Sequence, residues 1–337
     1  MKSRLTIKDI AQTLNIHHST VSRALRNDPK VKEETRNKIR KYANENGYRL
    51  NINALKLRGE ARNVIAVVVP NIHHSFFSNM VSYITNFAKA DGYLVSIFQS
   101  NESLEEEKEI IGTLIQNNIA GLVASISLET VSSEHFQELS RFDTPLVFFD
   151  RFSLDVSSPQ VVVNNKEIVL SAVEHLHNNG FTRIAHLTGK QSLNVFRERS
   201  EGYLAGIQQA KLDYQKDVEI VEEFNDEIGR AIAVKLLEDA TPPNAMIIDS
   251  QNLAIGVIYE LAKRNVKIPD EMGLVVFSDN RAFDIIPPGI TSITQPIEDI
   301  AAHCYNLLKR QIDGEQIDCG QIKLNCQLEI RGSSQKN

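Results

Sequence analysis

Eight short runs of β-branched and other apolar residues dominate the chain from Val64 onward, and no other feature restricts its fold as strongly. They are VIAVVV at 64–69, LVSIF at 94–98, GLVAS at 121–125, PLVFF at 145–149, VVV at 161–163, RIAHL at 183–187, AMII at 245–248 and LVVF at 274–277. Unbroken apolar runs of this length mark strands buried on both faces, the habit of parallel sheets. Between them lie amphipathic stretches of helix length, among them Ser75–Ala90, Leu104–Asn117, Lys166–Asn178 and Ala231–Leu237. Strand and helix alternating at this pitch predict βαβ units. The runs outnumber the strands of one ordinary sheet. A second start near Val161 therefore predicts two doubly wound parallel-sheet lobes.

The first sixty residues follow a different pattern. Ile7, Ile10, Ala11 and Leu14 fall at i, i+3, i+4 and i+7, one apolar stripe of a short helix. Thr6 can cap its first turn, with Asp9 three residues on in a capping-box arrangement. Beyond a turn around Leu14–His17 the period restarts with Val21, Ala24 and Leu25. Two short helices, a tight turn and a polar second helix describe a helix-turn-helix. The second helix turns His18, Ser19, Ser22, Arg23 and Arg26 outward, all able to bond base edges or phosphates. A third periodic stretch carries Val31, Ile39, Tyr42 and Ala43, and Asn46-Gly47 supplies its stop.

Charge divides the chain in the same place. Residues 1–60 carry 14 Lys and Arg against 6 Asp and Glu, a net of +8, while the remaining 277 carry 23 against 37, a net of −14. A basic segment on an acidic body suits a head that meets phosphates joined to a body that does not. At 337 residues there is room for about two or three domains of ~150 residues. The N-terminus, MKSRLTIKDIAQ, has no apolar core of signal-peptide length and no run approaches a membrane span, so a cytoplasmic protein without a membrane partner is expected. Cys304, Cys319 and Cys326 lack C-x-x-C spacing and read as reduced thiols.

Ligand chemistry in open α/β sheets sits beyond the carboxyl ends of strands. Asp150 follows LVFF, Asp249 and Ser250 follow AMII, Asp279 follows LVVFS, and HHSFF beyond the first strand gives His74, Phe76 and Phe77. Carboxylates that accept from neighbouring hydroxyls, beside an aromatic face, make a sugar-type site. The competing reading is that strand-end polar residues only cap the following helices. His73-His74 and His175-x-His177 have no partners at metal-ligand spacing, and no P-loop, G-x-G-x-x-G or G-x-S-x-G follows a strand, so neither a metal nor another cofactor is expected. The acidic run Glu102–Glu109 reads as a solvated helix start.

Taken with these features, the N-terminal letters TIKDIA…STVSRAL…V…TR…GY and the closing RGSS at Arg331–Ser334 are similar to the LacI family of bacterial transcription regulators. The resemblance implies an all-α helix-turn-helix DNA-binding head over residues 1–48, a hinge helix over 49–60, and a periplasmic-binding-protein-like effector and dimerisation domain over 61–337. Within that domain it implies a first lobe of about 61–160 plus 292–325 and a second of about 161–291 plus the C-terminal tail. The last helix, Ile297–Arg310, is expected to return to the first lobe after the chain has crossed between lobes three times.

By position the resemblance places operator contacts at Thr6, Ile7, His17, His18, Ser19, Thr20, Ser22, Arg23, Arg26 and Lys30, and at Asn51, Ala54 and Leu57 of the hinge. Leu57 stands where the family inserts a leucine as a minor-groove wedge. The motif R-x-x-G-[YW] matches Arg199, Gly202 and Tyr203, which implies that Arg199 clamps an effector, and Asp279 matches a family aspartate that takes effector hydroxyls. Phe224 corresponds to a position where some members set a ring against the ligand. The sequence departs from the pattern at Leu50 for proline, at Asn164 for aspartate, at Ser250-Gln251 for Asn-Asp, and at His17 for the serine that caps the second helix. A poorly capped second helix is therefore expected.

The implied function is operator binding by a homodimer, controlled by a small effector of the sugar, sugar-phosphate or nucleobase class. The absence of a leucine-heptad tail after RGSS favours a dimer over a tetramer. The other classes are a solute-binding protein and an α/β enzyme on a sugar or nucleobase. Replacing Arg23 by Ala is expected to cost about 1–3 kcal/mol on a cognate operator and less on random DNA. Gel-shift titration on both sequences checks this, and equal weakening makes Arg23 a phosphate contact.

Overall fold

This computed structural model describes residues 6–25, 28–46, 63–212 and 218–336. The chain forms two compact units, Met1–Arg62 and Asn63–Asn337. Arg26, Asn51, Ala54, Leu57 and the whole 49–60 hinge lie outside the described residues.

In the first unit, helix α1 spans Ile7–Leu14, α2 His18–Leu25 and α3 Glu33–Glu45. The capping box forms: the Asp9 amide donates to Thr6 Oγ1 at 3.3 Å, and the Thr6 amide donates to Asp9 Oδ2 at 2.8 Å. These bonds hold the Asp9 carboxyl below its ordinary range. Asn15 ends α1 in the left-handed region at φ 54°, where a short polar side chain is tolerated. Ile10, Val21, Ala24, Leu25, Val31, Ile39 and Ala43 make the buried core, with Ile7 packed against it. Burying Val21, Ala24 and Leu25 turns His18 and Arg23 to solvent and leaves Ser19, Thr20 and Ser22 half-buried.

The cap of α2 corrects the sequence expectation. His17 precedes the helix, and its Nδ1 accepts from the Ser19 amide at 3.3 Å and lies 2.8 Å from Ser19 Oγ. An imidazole lone pair satisfies the same free amide that a serine hydroxyl would.

The second unit holds two six-stranded sheets. In the first lobe, β1 (Val64–Val69) leads to α4 (Ser75–Ala90), β2 (Leu94–Gln99), α5 (Leu104–Asn117), β3 (Gly121–Ala124), α6 (Glu134–Arg141), β4 (Leu146–Phe149) and β5 (Gln160–Val163). The second lobe continues with α7 (Asn165–Asn178), β6 (Ile184–Thr188), α8 (Asn194–Gln209), β7 (Val218–Ile220), α9 (Asp226–Leu237), β8 (Ala245–Ile248) and α10 (Gln251–Lys263). It closes with β9 (Gly273–Phe277), α11 (Ala282–Ile285) and β10 (Thr291–Thr294). The chain then returns through α12 (Ile297–Ile312) and β11 (Gln321–Leu324) to the first sheet, and through β12 (Gln327–Glu329) to the second.

The orders are β11-β5-β4-β3-β1-β2 and β12-β10-β9-β8-β6-β7. Every pairing is parallel except β10 with β12. Two boundaries differ from expectation. The VVV run belongs to the first lobe, where Phe148 pairs with Gln160 and Phe149 with Val161, so the crossover follows Val163. Thr291–Thr294 belongs to the second, with Thr291 beside Val275. Both placements are set by strand pairing, which the local apolar pattern does not display.

Three further details fix the frame. A Cβ on Gly202 would lie 2.2 Å from the Lys166 carbonyl oxygen, so this glycine lets α8 cross α7 closely. The Tyr203 hydroxyl donates to the Ile184 carbonyl at 2.6 Å. In the closing RGSS, the buried Ser333 accepts from the Thr291 amide and donates to the Leu274 carbonyl, both at 2.8 Å, stapling the tail to the second sheet.

The acidic run is not wholly solvated. Glu107 is fully buried and accepts from the Ser127 amide at 2.7 Å and Thr130 Oγ1 at 2.6 Å, with His135 Nε2 at 2.9 Å. A loop amide and a hydroxyl replace the water that a surface carboxylate would keep.

Loss of the α2 cap is expected to lower the stability of the head by about 0.5–2 kcal/mol in His17→Ala, while His17→Ser stays near wild type. Thermal melting of residues 1–62 followed by circular dichroism checks this. A head more stable as His17→Ser would restore the weak-cap reading.

Candidate functional site

A cleft of about 610 Å³ lies between the two lobes of the second unit. It opens beyond the carboxyl ends of β1 and β4 on one side and β8 and β9 on the other. Its wall contains every cleft residue singled out from the sequence: His74, Phe76, Phe77, Asp150, Arg199, Phe224, Ser250 and Asp279. Asp249, the other strand-end residue after AMII, lines it too, and so do Ser75, Arg151, Val195, Phe196, Gln251, Phe277, Ser278 and Gln295, for which the sequence implies no ligand contact. Phe196 stands one helical turn before Arg199, a spacing visible in the sequence. Gln295 reaches the cleft through the pairing of β10 with β9, which no local pattern announces.

Arg199 dominates the second-lobe wall. Only 5% of it is exposed, and its guanidinium lies 3.6 Å over the Phe277 ring. Its Nε donates to Asn165 Oδ1 at 2.9 Å, and Nη1 donates to the Asp249 carbonyl at 3.3 Å and lies 3.8 Å from Asp249 Oδ2. Asp249 is held in turn by Thr188 Oγ1 at 2.6 Å and His186 Nε2 at 3.1 Å. Burial alone pushes the Asp249 carboxyl up, but the charges of His186 and Arg199 and the bonds from His186 and Thr188 hold it below its ordinary value.

Two other carboxyls are shifted the opposite way. Burial pushes Asp150 up, and Glu102 adds to this against the opposing pull of Arg151 and Arg199. Asp150 also sits in the left-handed region at φ 58°, fixed by its amide donating to the Val161 carbonyl at 3.1 Å. Burial likewise raises Asp279 to about 6, although its Oδ1 accepts from the Gln295 amide at 2.8 Å. Burial keeps His74 below its usual value, with Arg151 adding to the effect. Ser250 turns out to cap α10, accepting from the Asn252 amide at 3.3 Å, so the capping reading holds at that position.

Aromatic rings form the apolar surfaces. Phe76 and Phe77 meet edge to face at 5.2 Å, and Phe196 stacks on Phe224 at 5.2 Å with 17° between the planes. The Arg151 guanidinium lies 5.7 Å from the Phe77 ring centre and 5.5 Å from that of Phe196.

The lobes also touch each other directly. Asn194 Nδ2 donates to the Asp150 carbonyl at 2.9 Å, and Asn194 Oδ1 accepts from the Phe152 amide at 3.2 Å. Ser75 Oγ donates to Gln251 Oε1 at 3.0 Å. Leu193, Val195 and Phe196 pack into the apolar core of the first lobe.

On the head, His17, His18, Arg23 and Lys30 are exposed, as is the capping Thr6. Among the described residues no group of three His, Cys, Asp or Glu could hold a metal ion, and no helix is long and apolar enough to cross a membrane.

Residues 6–51 match the model for bacterial regulatory proteins of the lacI family, and residues 173–334 match a periplasmic binding protein-like domain. The chain is 28% identical over 329 residues to the HTH-type transcriptional repressor CytR of Escherichia coli strain K12, covering 98% of this chain and 96% of that one. The structure is similar to the lac repressor dimer bound to operator and the anti-inducer ONPF, with a TM-score of 0.85 at 20% identity over 99% of this chain and 100% of that one. It is also similar to a periplasmic binding protein/LacI transcriptional regulator from Alkaliphilus metalliredigens QYMF complexed with D-xylulofuranose. That TM-score is 0.69 at 26% identity, over 80% of this chain and 98% of that one.

The raised Asp279 carboxyl makes ligand-free stability depend on pH. The folded chain keeps this proton up to about 6 against an ordinary 3.8, so the contribution is full below about 3.8 and is lost as pH rises through about 6. In Asp279→Asn this loss disappears. The variant's melting temperature relative to wild type is expected to rise between pH 4.5 and pH 7.5; a constant difference would contradict the assignment.

Proposed function

The chain belongs to the LacI family of bacterial regulatory proteins, whose members are DNA-binding transcription regulators rather than enzymes, and from that premise we propose that it is a repressor whose operator affinity is set by a small sugar-type effector held between its two lobes. The observation that carries this is convergence. Arg199 and Asp279 from the second lobe meet Asp150 and Phe76 from the first around one cleft. An ionised aspartate accepts from two neighbouring hydroxyls, a guanidinium donates to ring or hydroxyl oxygens, and an aromatic face covers the apolar side of a sugar. The relative from Alkaliphilus carries D-xylulofuranose, which agrees with this chemistry.

The head reads DNA through α2. His18, Ser19 and Arg23 contact bases, with Thr6, Ile7, His17, Thr20, Ser22, Arg26 and Lys30 around them, and Asn51, Ala54 and Leu57 act at the operator centre. Two heads in a homodimer reach successive major grooves ~34 Å apart on a pseudo-palindrome. The exposed Leu94 and Ile97 on the edge strand β2, and Ile255 and Tyr259 on α10, supply apolar surface for the second copy. With operator DNA as its target, the chain acts in the cytoplasm. An effector that favours one angle between the lobes shifts the operator equilibrium by its differential affinity for the two states.

In Arg199→Ala and in Asp279→Ala the effector is expected to lose its influence on operator binding, while operator affinity without effector stays nearly unchanged. Leaving one polar group of the bound effector unpaired inside the cleft costs roughly 1–3 kcal/mol of binding. Removing Arg199 also leaves Asp249 buried without its cation, so Asp279→Ala is the cleaner variant. Operator titration with and without the sugar identified by thermal shift checks this, and a normal response in both variants would move the ligand elsewhere.

A further inference from the structure

Resting on the reading of the cleft as the effector site, the distribution of charge around it narrows the ligand class. The cationic side chains in the cleft wall are Arg151 and Arg199. Each already faces a carboxylate of the chain itself. Arg151 Nη1 donates to both Glu102 oxygens, at 2.8 and 3.1 Å, while its buried Nε has no hydrogen-bond partner and lies 3.8 Å from Asp150 Oδ2. Arg199 faces Asp249, is bonded to Asn165 through Nε and lies over the Phe277 ring. With Glu102 and Asp249 spent in this way, Asp150 and Asp279 remain as carboxyls facing the cleft without a hydrogen-bonded cation of their own. His74 stands beside them, half-buried just before α4.

We propose that the effector is an uncharged molecule rich in hydroxyl donors, a free sugar or nucleoside, and that the cleft rejects its phosphorylated or carboxylated counterparts. A phosphate entering this space would find each guanidinium already facing a carboxylate of the chain, Arg151 with Glu102 and Arg199 with Asp249, and two further carboxyls opposed to it. It could enter only by forcing protons onto them or by breaking an existing arginine pair. A hydroxyl donor meets no such conflict: it gives its proton to an ionised aspartate, and Arg199 Nη2 can still donate to a neutral oxygen.

The two classes differ in the sign of their pH dependence. The charged and titratable groups facing Asp279 and the space before it are Arg199 from α8, the buried Cys326 thiol between β11 and β12, Glu329 from β12, Asp249 after β8, and Asp150, Arg151 and His74 from the first lobe. A donor-rich neutral ligand favours ionised Asp279, so its affinity falls as pH drops through about 6. An anion favours the protonated carboxyls, so its affinity rises over the same range.

The test uses matched pairs on the full chain: D-ribose and ribose 5-phosphate, D-glucose and glucose 6-phosphate, adenosine and AMP, cytidine and CMP. Thermal shift finds the responding pair and calorimetry at pH 5.5 and 7.5 measures it. The expected result is that a neutral member binds at least about tenfold more tightly than its phosphorylated partner and weakens at pH 5.5. Asp279→Asn should flatten that pH dependence. A phosphorylated member that binds as well or better, in a manner lost in Asp279→Ala, overturns this proposal and leaves the cleft as the effector site. Binding that survives Asp279→Ala and Phe76→Ala overturns both. Silence from every neutral member overturns the proposed class as well.

Discussion

A guanidinium withdrawn from water must be paired and hydrogen-bonded where it sits, and the second lobe is arranged around that requirement at Arg199. Its partners come from three places far apart in sequence: Asn165 at the start of α7, Asp249 after β8 and Phe277 at the end of β9. Asp249 is held in turn by His186 and Thr188 of β6. The strand order that sets β6, β8 and β9 side by side, together with the glycine crossing of α8 over α7, is what brings these groups within reach. Fold and site are one constraint here. A fixed, internally compensated wall costs little reorganisation when a ligand arrives, which is the general route to selective binding.

The opposite wall follows a different logic. Asp150 is aimed by its left-handed backbone, and that backbone is clasped from the other lobe by the two ends of the Asn194 amide. Gln251, standing where the family pattern has an acid, binds Ser75 across the cleft. The lobes are therefore bridged by the chain's own side chains beside the cleft. Under the proposed function such contacts set an equilibrium of lobe closure, and a ligand's bias on it is limited to its differential affinity for the two states.

What could be read from the sequence was local. The buried strands appear as uninterrupted apolar runs, the amphipathic helices as 3.6-residue stripes, and the strand-end positions of Asp150 and Asp279 follow from the runs before them. What could not be read depends on distant neighbours. VVV at 161–163 joins the first sheet because β4 and β11 lie on either side of it, and Thr291–Thr294 joins the second between β9 and β12. Glu107 sits in a run of acids that reads as solvated, yet the Ser127–Thr130 loop folds over it. The His17 cap is not legible from residue preference, which points to serine, whereas the geometry needs only a lone pair near the Ser19 amide. Gln295 joins the cleft through the pairing of β10 with β9, which no window of the sequence displays.

The central claim is that ligand in this cleft sets operator affinity by changing the angle between the lobes. It is tested most directly by the distance between spin labels on exposed positions of α5 and α9, introduced as Glu109→Cys and Ala231→Cys after Cys319→Ser. The full chain is measured at increasing concentrations of the neutral ligand and titrated against operator under the same conditions. The account predicts that the distance distribution shifts toward one shorter value in step with the change in operator affinity. Operator affinity that changes while the distance distribution stays fixed would contradict it.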